Sequence, residues 1–145
     1  MQWANFESRL APAVLGLAPV SSVEQTLNGI SIDQQALLQS NGGPREAIAY
    51  LMGGAASGSP TGINHTMKWQ HSSDNSNWSD VTDTNELVEA ASVSLTATNS
   101  VVQLALRLKG CKRYVRPQVA LDFTGGSTPA QVVAVLVALG APRST

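Results

Sequence analysis

Apolar side chains recur at every second position through most of this chain, and a period of two confines it to extended strands. From Val101 to Lys109, the residues Val102, Leu104, Leu106 and Leu108 share one side, and Gln103, Ala105, Arg107 and Lys109 share the other. Gly110 marks a short turn, and the alternation resumes from Arg113 to Phe123. There Val115, Pro117, Val119, Leu121 and Phe123 oppose Tyr114, Arg116, Gln118, Ala120 and Asp122. The two runs predict a hairpin. Pro117 has no N–H to give a ladder, so that side of it is expected to face an edge or a bulge. Shorter alternating runs lie at Val93–Ala97, Thr66–His71, Ala47–Met52 and Val23–Leu27, the last followed by Ile30 and Ile32 beyond Gly29.

Val132–Leu139 differs, because it is apolar on both sides. Such a strand is buried on both faces, or one face is covered by another subunit. Turns are expected at Gly53-Gly54, Gly58-Ser59-Pro60, Ser72–Asn77 and Gly125–Pro129. Asp83 with Glu86 is placed to cap one helical turn over Leu87–Ala91, and no long amphipathic helix is evident. These signals predict an all-β fold of about eight short strands, a β-sandwich or jelly-roll-like arrangement. Residues 1–20, with Trp3, Phe6, Pro12 and Pro19, lack alternation and are expected to form an irregular N-terminal arm, leaving 21–145 as the β-sandwich domain.

The 145 residues suit one domain, and only 13% of them are charged, about half the usual share. Ser and Thr number 26, and Asn and Gln 17. A surface of uncharged polar groups is less strongly hydrated than one of Lys and Glu, which suits a protein held in an assembly. The net charge of −1 gives no general attraction to nucleic acid or an anionic membrane. The longest fully apolar run has eight residues, Val132–Leu139, against the ~20 that a membrane helix needs. The start does not read as a signal peptide, since Glu7, Arg9, Pro12 and Gly16 interrupt it, so a soluble chain without an export signal is expected.

Chemistry-bearing patterns are few. His65 and His71 would lie ~20 Å apart along one strand, too far to share a metal. Asp74–Asp80 has alternate oxygens but carries Ser79 and Asn85 where a calcium loop needs glycine and glutamate, so an Asx-rich turn explains it better. The single cysteine, Cys111, excludes an internal disulfide, and no histidine stands near it in sequence to act as its base. Trp69 and Trp78 are expected in the core. No nucleophile elbow, zinc-protease helix or phosphate loop occurs, and no enzyme activity or cofactor is expected.

Two stretches carry a family likeness: Met67–Val81, with Gln70, Ser72, Asp74 and Asp80-Val81, and Gly110-Cys111-Lys112-Arg113-Tyr114-Val115-Arg116. With Asn28–Asp33 and the ending Gly140–Arg143, they resemble the head decoration, or cement, proteins of tailed bacteriophages over roughly residues 21–145. The turn departs from the pattern, having Asn75-Ser76-Asn77 where glycine is usual. The resemblance implies a structural virion protein, made in the host cytoplasm, that binds the outside of an assembled capsid as a homotrimer, with the major capsid protein as partner and neither nucleic acid nor membrane contacted directly. Its expected interaction residues are the basic set Arg107, Lys109, Lys112, Arg113 and Arg116, with Val133, Val135 and Val137 at the contact between copies. Charge reversal at Arg113 and Arg116 is then expected to weaken capsid binding without loss of folding, unless the two pair with Asp80 or Asp83 of the same chain. The alternatives are a carbohydrate-recognition module, which needs Trp69, Trp78 or Tyr114 exposed together, and a head–tail joining or tail protein forming rings.

Overall fold

Small and branched side chains at alternate positions let Glu46–Ser57 run as one twelve-residue strand. The computed structural model describes residues 13–36, 44–88 and 90–140. Within them the strands are β1 (Val14–Ser22), β2 (Thr26–Asn28), β3 (Ile32–Asp33), β4 (Glu46–Ser57), β5 (Gly62–Ile63), β6 (His65–Ser72), β7 (Ser79–Asp80), β8 (Ser92–Leu95), β9 (Ser100–Arg107), β10 (Tyr114–Ala120), β11 (Phe123–Thr124) and β12 (Ala130–Gly140). Eight of these have three or more residues, and β3, β5, β7 and β11 have two each, as an all-β chain of short strands predicts.

All pairings are antiparallel. A four-stranded sheet has the order β1-β12-β4-β9. A six-stranded sheet follows β2-β10-β6-β7, with β3 also beside β10 and β8 also beside β6. Their facing sides enclose one core. Ala47, Ala49, Leu51, Leu104, Leu106, Val133, Val135 and Val137 come from the first sheet, and Met67, Trp69, Leu95, Val115 and Val119 from the second.

Three expectations need correction. The runs before and after Gly110 do not form a hairpin: β9 pairs with β4 in one sheet and β10 with β6 in the other. The alternation identifies strands but not their partners. A single turn of 3-10 helix, Leu108–Gly110, carries the chain across the sandwich, with Leu108 buried as its anchor. Gly110 permits this, because a Cβ there would collide with the Glu86 carboxyl oxygen. Secondly, the stretch expected to be an irregular arm is strand from Val14 onward, paired along β12, while 1–12 lie outside the described residues. Its alternation is hidden by Pro19 and by two register shifts. Thirdly, the chain after Asp83 makes a tight turn, with Asn85 N–H donating to Asp83 Oδ1, and the described residues that follow show no helix.

Pro117 sits as expected at an interruption. Its carbonyl accepts from Gly29 N–H at 2.8 Å, so the side lacking a donor faces the break between β2 and β3. At the same point Ile30 N–H donates to Gly16 O of β1 at 2.6 Å, which ties the margins of the two sheets together. This crossing admits only glycine at position 29, since a Cβ would stand 2.5 Å from Pro117 O and 2.6 Å from Gly16 O.

Polar groups also join the sheets from inside. Trp69, fully buried on β6, donates its indole N–H to Leu104 O on β9 at 3.1 Å. His65 Nδ1 accepts from Asp122 N–H at 3.1 Å, so its Nε2 carries the proton and donates to Gln131 Oε1 at 2.8 Å. Gln131 in turn donates to Gly54 O at 2.9 Å. Burial holds the His65 imidazole below its usual range, and burial with Lys112 nearby does the same for His71.

Gly29→Ala is expected to destabilise the fold by about 1–3 kcal/mol through overpacking, read as a lower urea midpoint with unchanged m-value. Acid is expected to weaken it as well. The unfolded chain takes up protons on both histidines from about pH 6.5 downward while the folded chain resists, so stability present above pH 6.5 is lost as pH falls towards the folded values. Denaturant midpoints at pH 8 and pH 5 check this; equal midpoints contradict it.

Candidate interaction surfaces

The sandwich presents two outer faces of opposite character. On the six-stranded sheet, the side turned away from the core carries Arg116, Gln118, Lys68, Thr66 and Gln70, with Asp80 beside them on β7. Arg116 donates through Nε and Nη2 to Gln70 Oε1 at 3.1 and 2.9 Å. Gln70 passes the link on to Asp80 Oδ1 at 2.9 Å, and Lys68 closes it on Asp80 Oδ2 at 2.7 Å. Lys68 and then Gln70 hold the Asp80 carboxyl below the usual carboxylate range. The Arg116 guanidinium lies 4.2 Å from the centre of the Trp78 ring. Trp78 is therefore half-exposed on this face and not in the core, whereas Trp69 is the buried one. The arginine covers one face of that ring.

The basic set does not form one stripe. Arg113 makes a paired contact with Asp33 on β3, at 2.9 and 2.8 Å, and leans over Tyr114. Arg113 lowers the Asp33 pKa, and Asp33 raises that of Arg113. Arg116 belongs to the polar face just described. Arg107 ends β9 in the other sheet, opposite Glu46. Lys109 and Lys112 stand exposed on the crossover between the sheets. The partners expected for Arg113 and Arg116 were Asp80 or Asp83. Arg113 instead takes Asp33, and Arg116 reaches Asp80 only through Gln70.

Asp74 spends its carboxylate on its own loop. It accepts from Ser76 N–H at 2.9 Å, Asn77 N–H at 2.8 Å, the Ser72 hydroxyl at 2.9 Å and the Asn77 amide at 2.6 Å. These bonds hold it ionised far below the usual range, and Asn75 takes a left-handed conformation (φ 59°) to close the turn. The Cys111 thiol is pushed up to about 12 by burial, with Glu86 adding to it, so it is not a nucleophile at neutral pH.

The outer face of the four-stranded sheet is apolar. In register across the strands, Val101, Met52 and Ala134 form one row, and Gln103, Tyr50, Leu136 and Leu15 the next. Ala105, Ile48 and Ala138 form a third. Val101 is 58% exposed, Met52 38%, and Val132 and Leu15 45% each. Val133, Val135 and Val137, expected at a contact between copies, point the other way and are 0% exposed in the chain's own core. The reason is parity. A strand apolar on both sides gives no sign of which half its own domain buries, and here the odd-numbered half faces inward.

Arg116→Ala would leave Gln70 Oε1 without its donor and uncover Trp78. A loss of about 1–2 kcal/mol in urea denaturation and a red shift of tryptophan emission are the expected results.

No protein-family model matches the chain, and no curated protein matches it in sequence. The chain does superpose on a solved structure, described as the crystal structure of the PBSX exported protein XepA, with TM-score 0.61 and 13% identity over 93% of this chain. The matched part is 39% of that protein, so this chain spans about two-fifths of its neighbour's length. At this identity the likeness establishes a shared fold: an all-β sandwich.

Proposed function

We propose that this chain is a structural, non-enzymatic phage protein that binds the outside of an assembled capsid and braces its subunit junctions, three copies to a site. The observation that carries this reading is the contrast between the two outer faces. A cross-linked polar face lies on one side, an apolar face on the other, and two exposed lysines stand on the crossover between them. That arrangement suits a protein meeting two kinds of surface at once. The sequence likeness of Met67–Val81 and Gly110–Arg116 to head decoration proteins supports it, and the fold neighbour described as the PBSX exported protein XepA shares the sandwich. A protein that binds only the assembled shell stabilises it by mass action, and several joined copies gain from avidity.

Carbohydrate recognition is less favoured, because Trp69 is buried and Arg116 occupies one face of Trp78. Lys109 and Lys112 are the cations best placed for an acidic shell surface, since Arg113 and Arg116 serve contacts within the chain. Co-sedimentation with assembled shells of the parent phage tests the proposal. Wild-type protein is expected in the pellet, and Lys109→Glu with Lys112→Glu should lower the affinity about tenfold or more at low salt, the effect shrinking as salt is raised. Wild-type protein left in the supernatant at saturating concentration would sink it.

A further inference from the structure

Antiparallel sheets that pack one face on a core usually turn a polar face to water. The six-stranded sheet follows this rule and the four-stranded sheet breaks it. Over four strands, the outward positions are taken by residues such as Leu15, Ile48, Met52, Val101, Val132 and Leu136, and charge enters only at the row of Glu46 and Arg107. Four strands ~4.8 Å apart make the face ~19 Å wide, and the span from Val132 past Ala138 to the charged row makes it ~27 Å long, a footprint of ~500 Å². Two such faces together reach ~1,000 Å², about where specific protein contacts begin.

Each margin of this sheet is partly engaged by other segments of the chain. On β9, Leu106 bridges to Leu87, and Arg107 N–H donates to Glu86 O. On β1, Pro19 and two register shifts distort the edge, and Gly16 O is already taken by Ile30. The flat side offers the broader surface for association. Glu46 and Arg107, opposite in sign and adjacent in register, bound the apolar area at one end.

We propose that the apolar outer face of the four-stranded sheet is the contact between copies of this chain. The copy number rests on the capsid reading; the choice of surface does not.

Light scattering on a sizing column, run on the full chain at micromolar concentrations, tests it. The expected mass is that of more than one 15.2 kDa chain. Val101→Lys and Leu136→Lys should each return the mass to one copy with an unchanged far-ultraviolet dichroism spectrum. Val101 stands exposed on an edge strand, which guards against simple misfolding. A wild-type monomer at every concentration overturns the proposal, as do lysine variants that keep the wild-type mass. A dimer dissociated by Val101→Lys supports the surface and overturns the three copies of the capsid reading. The two readings fail separately. An assembled wild type that ignores shells sinks only the capsid reading, and a monomeric wild type that binds shells sinks only the self-contact.

Discussion

His65 lies where the two sheets, β4 and the turn before β11 converge, and its two ring nitrogens settle how they meet. One accepts from Asp122 N–H and the other donates to Gln131, which reaches on to Gly54. Phe123 packs edge-on against the same ring, 4.8 Å between centres. A buried polar group left without a partner costs about 1–3 kcal/mol, so this chain of donors tolerates little sliding of one sheet over the other. Gly53 shows how tight the fit is, since a Cβ there would meet the Gln131 amide at 2.7 Å. The indole of Trp69 on Leu104 O repeats the device one strand further along. Hydrophobic burial drives the sheets together without direction, and these bonds choose the register in which they stop.

Once the register is fixed, the outer faces follow. Every side chain turned inward commits its neighbours to face outward, so the same choice that buries Val133, Val135 and Val137 exposes Val132 and leaves Leu136 half-covered. The contrast between the sheets is built into the strands. β6 and β10 place Lys68, Gln70, Arg116 and Gln118 on their outward positions, where hydrogen bonds and the Arg116–Trp78 stack link them. β4 and β12 have no such residues to offer between Glu46 and Gly54 or between Val132 and Ala138.

The period of two was enough to place β4, β6, β8, β9 and β10, because alternate burial is a local property of each segment, and the unbroken apolar run marked β12. It was not enough to pair them. β9 and β10 looked like a hairpin around Gly110, yet the turn there spans the sandwich. Nothing local to those residues records that Leu108 is buried or that Glu86 lies over the glycine. β1 escaped notice because Pro19 and two register shifts break its alternation, and its strand character comes from pairing with β12.

The basic residues show the same division. Their types and spacing are plain in sequence, but Arg113 is spent on Asp33, eighty residues away, and Arg116 on Gln70, forty-six away. Ion pairs at such separations depend on which strands become neighbours. The doubly apolar run at 132–139 was legible as a strand with two partners. Which face belongs to the chain's own core and which to the outside was decided by a one-residue choice of register, made by Gln131 reaching His65 between the sheets. Sequence alone determined that the chain is all-β, weakly charged and apolar on both sides of its last strand. Tertiary structure decided where each side points, because a strand's burial is set by the sheet it joins, and that choice is made by contacts distant in the chain.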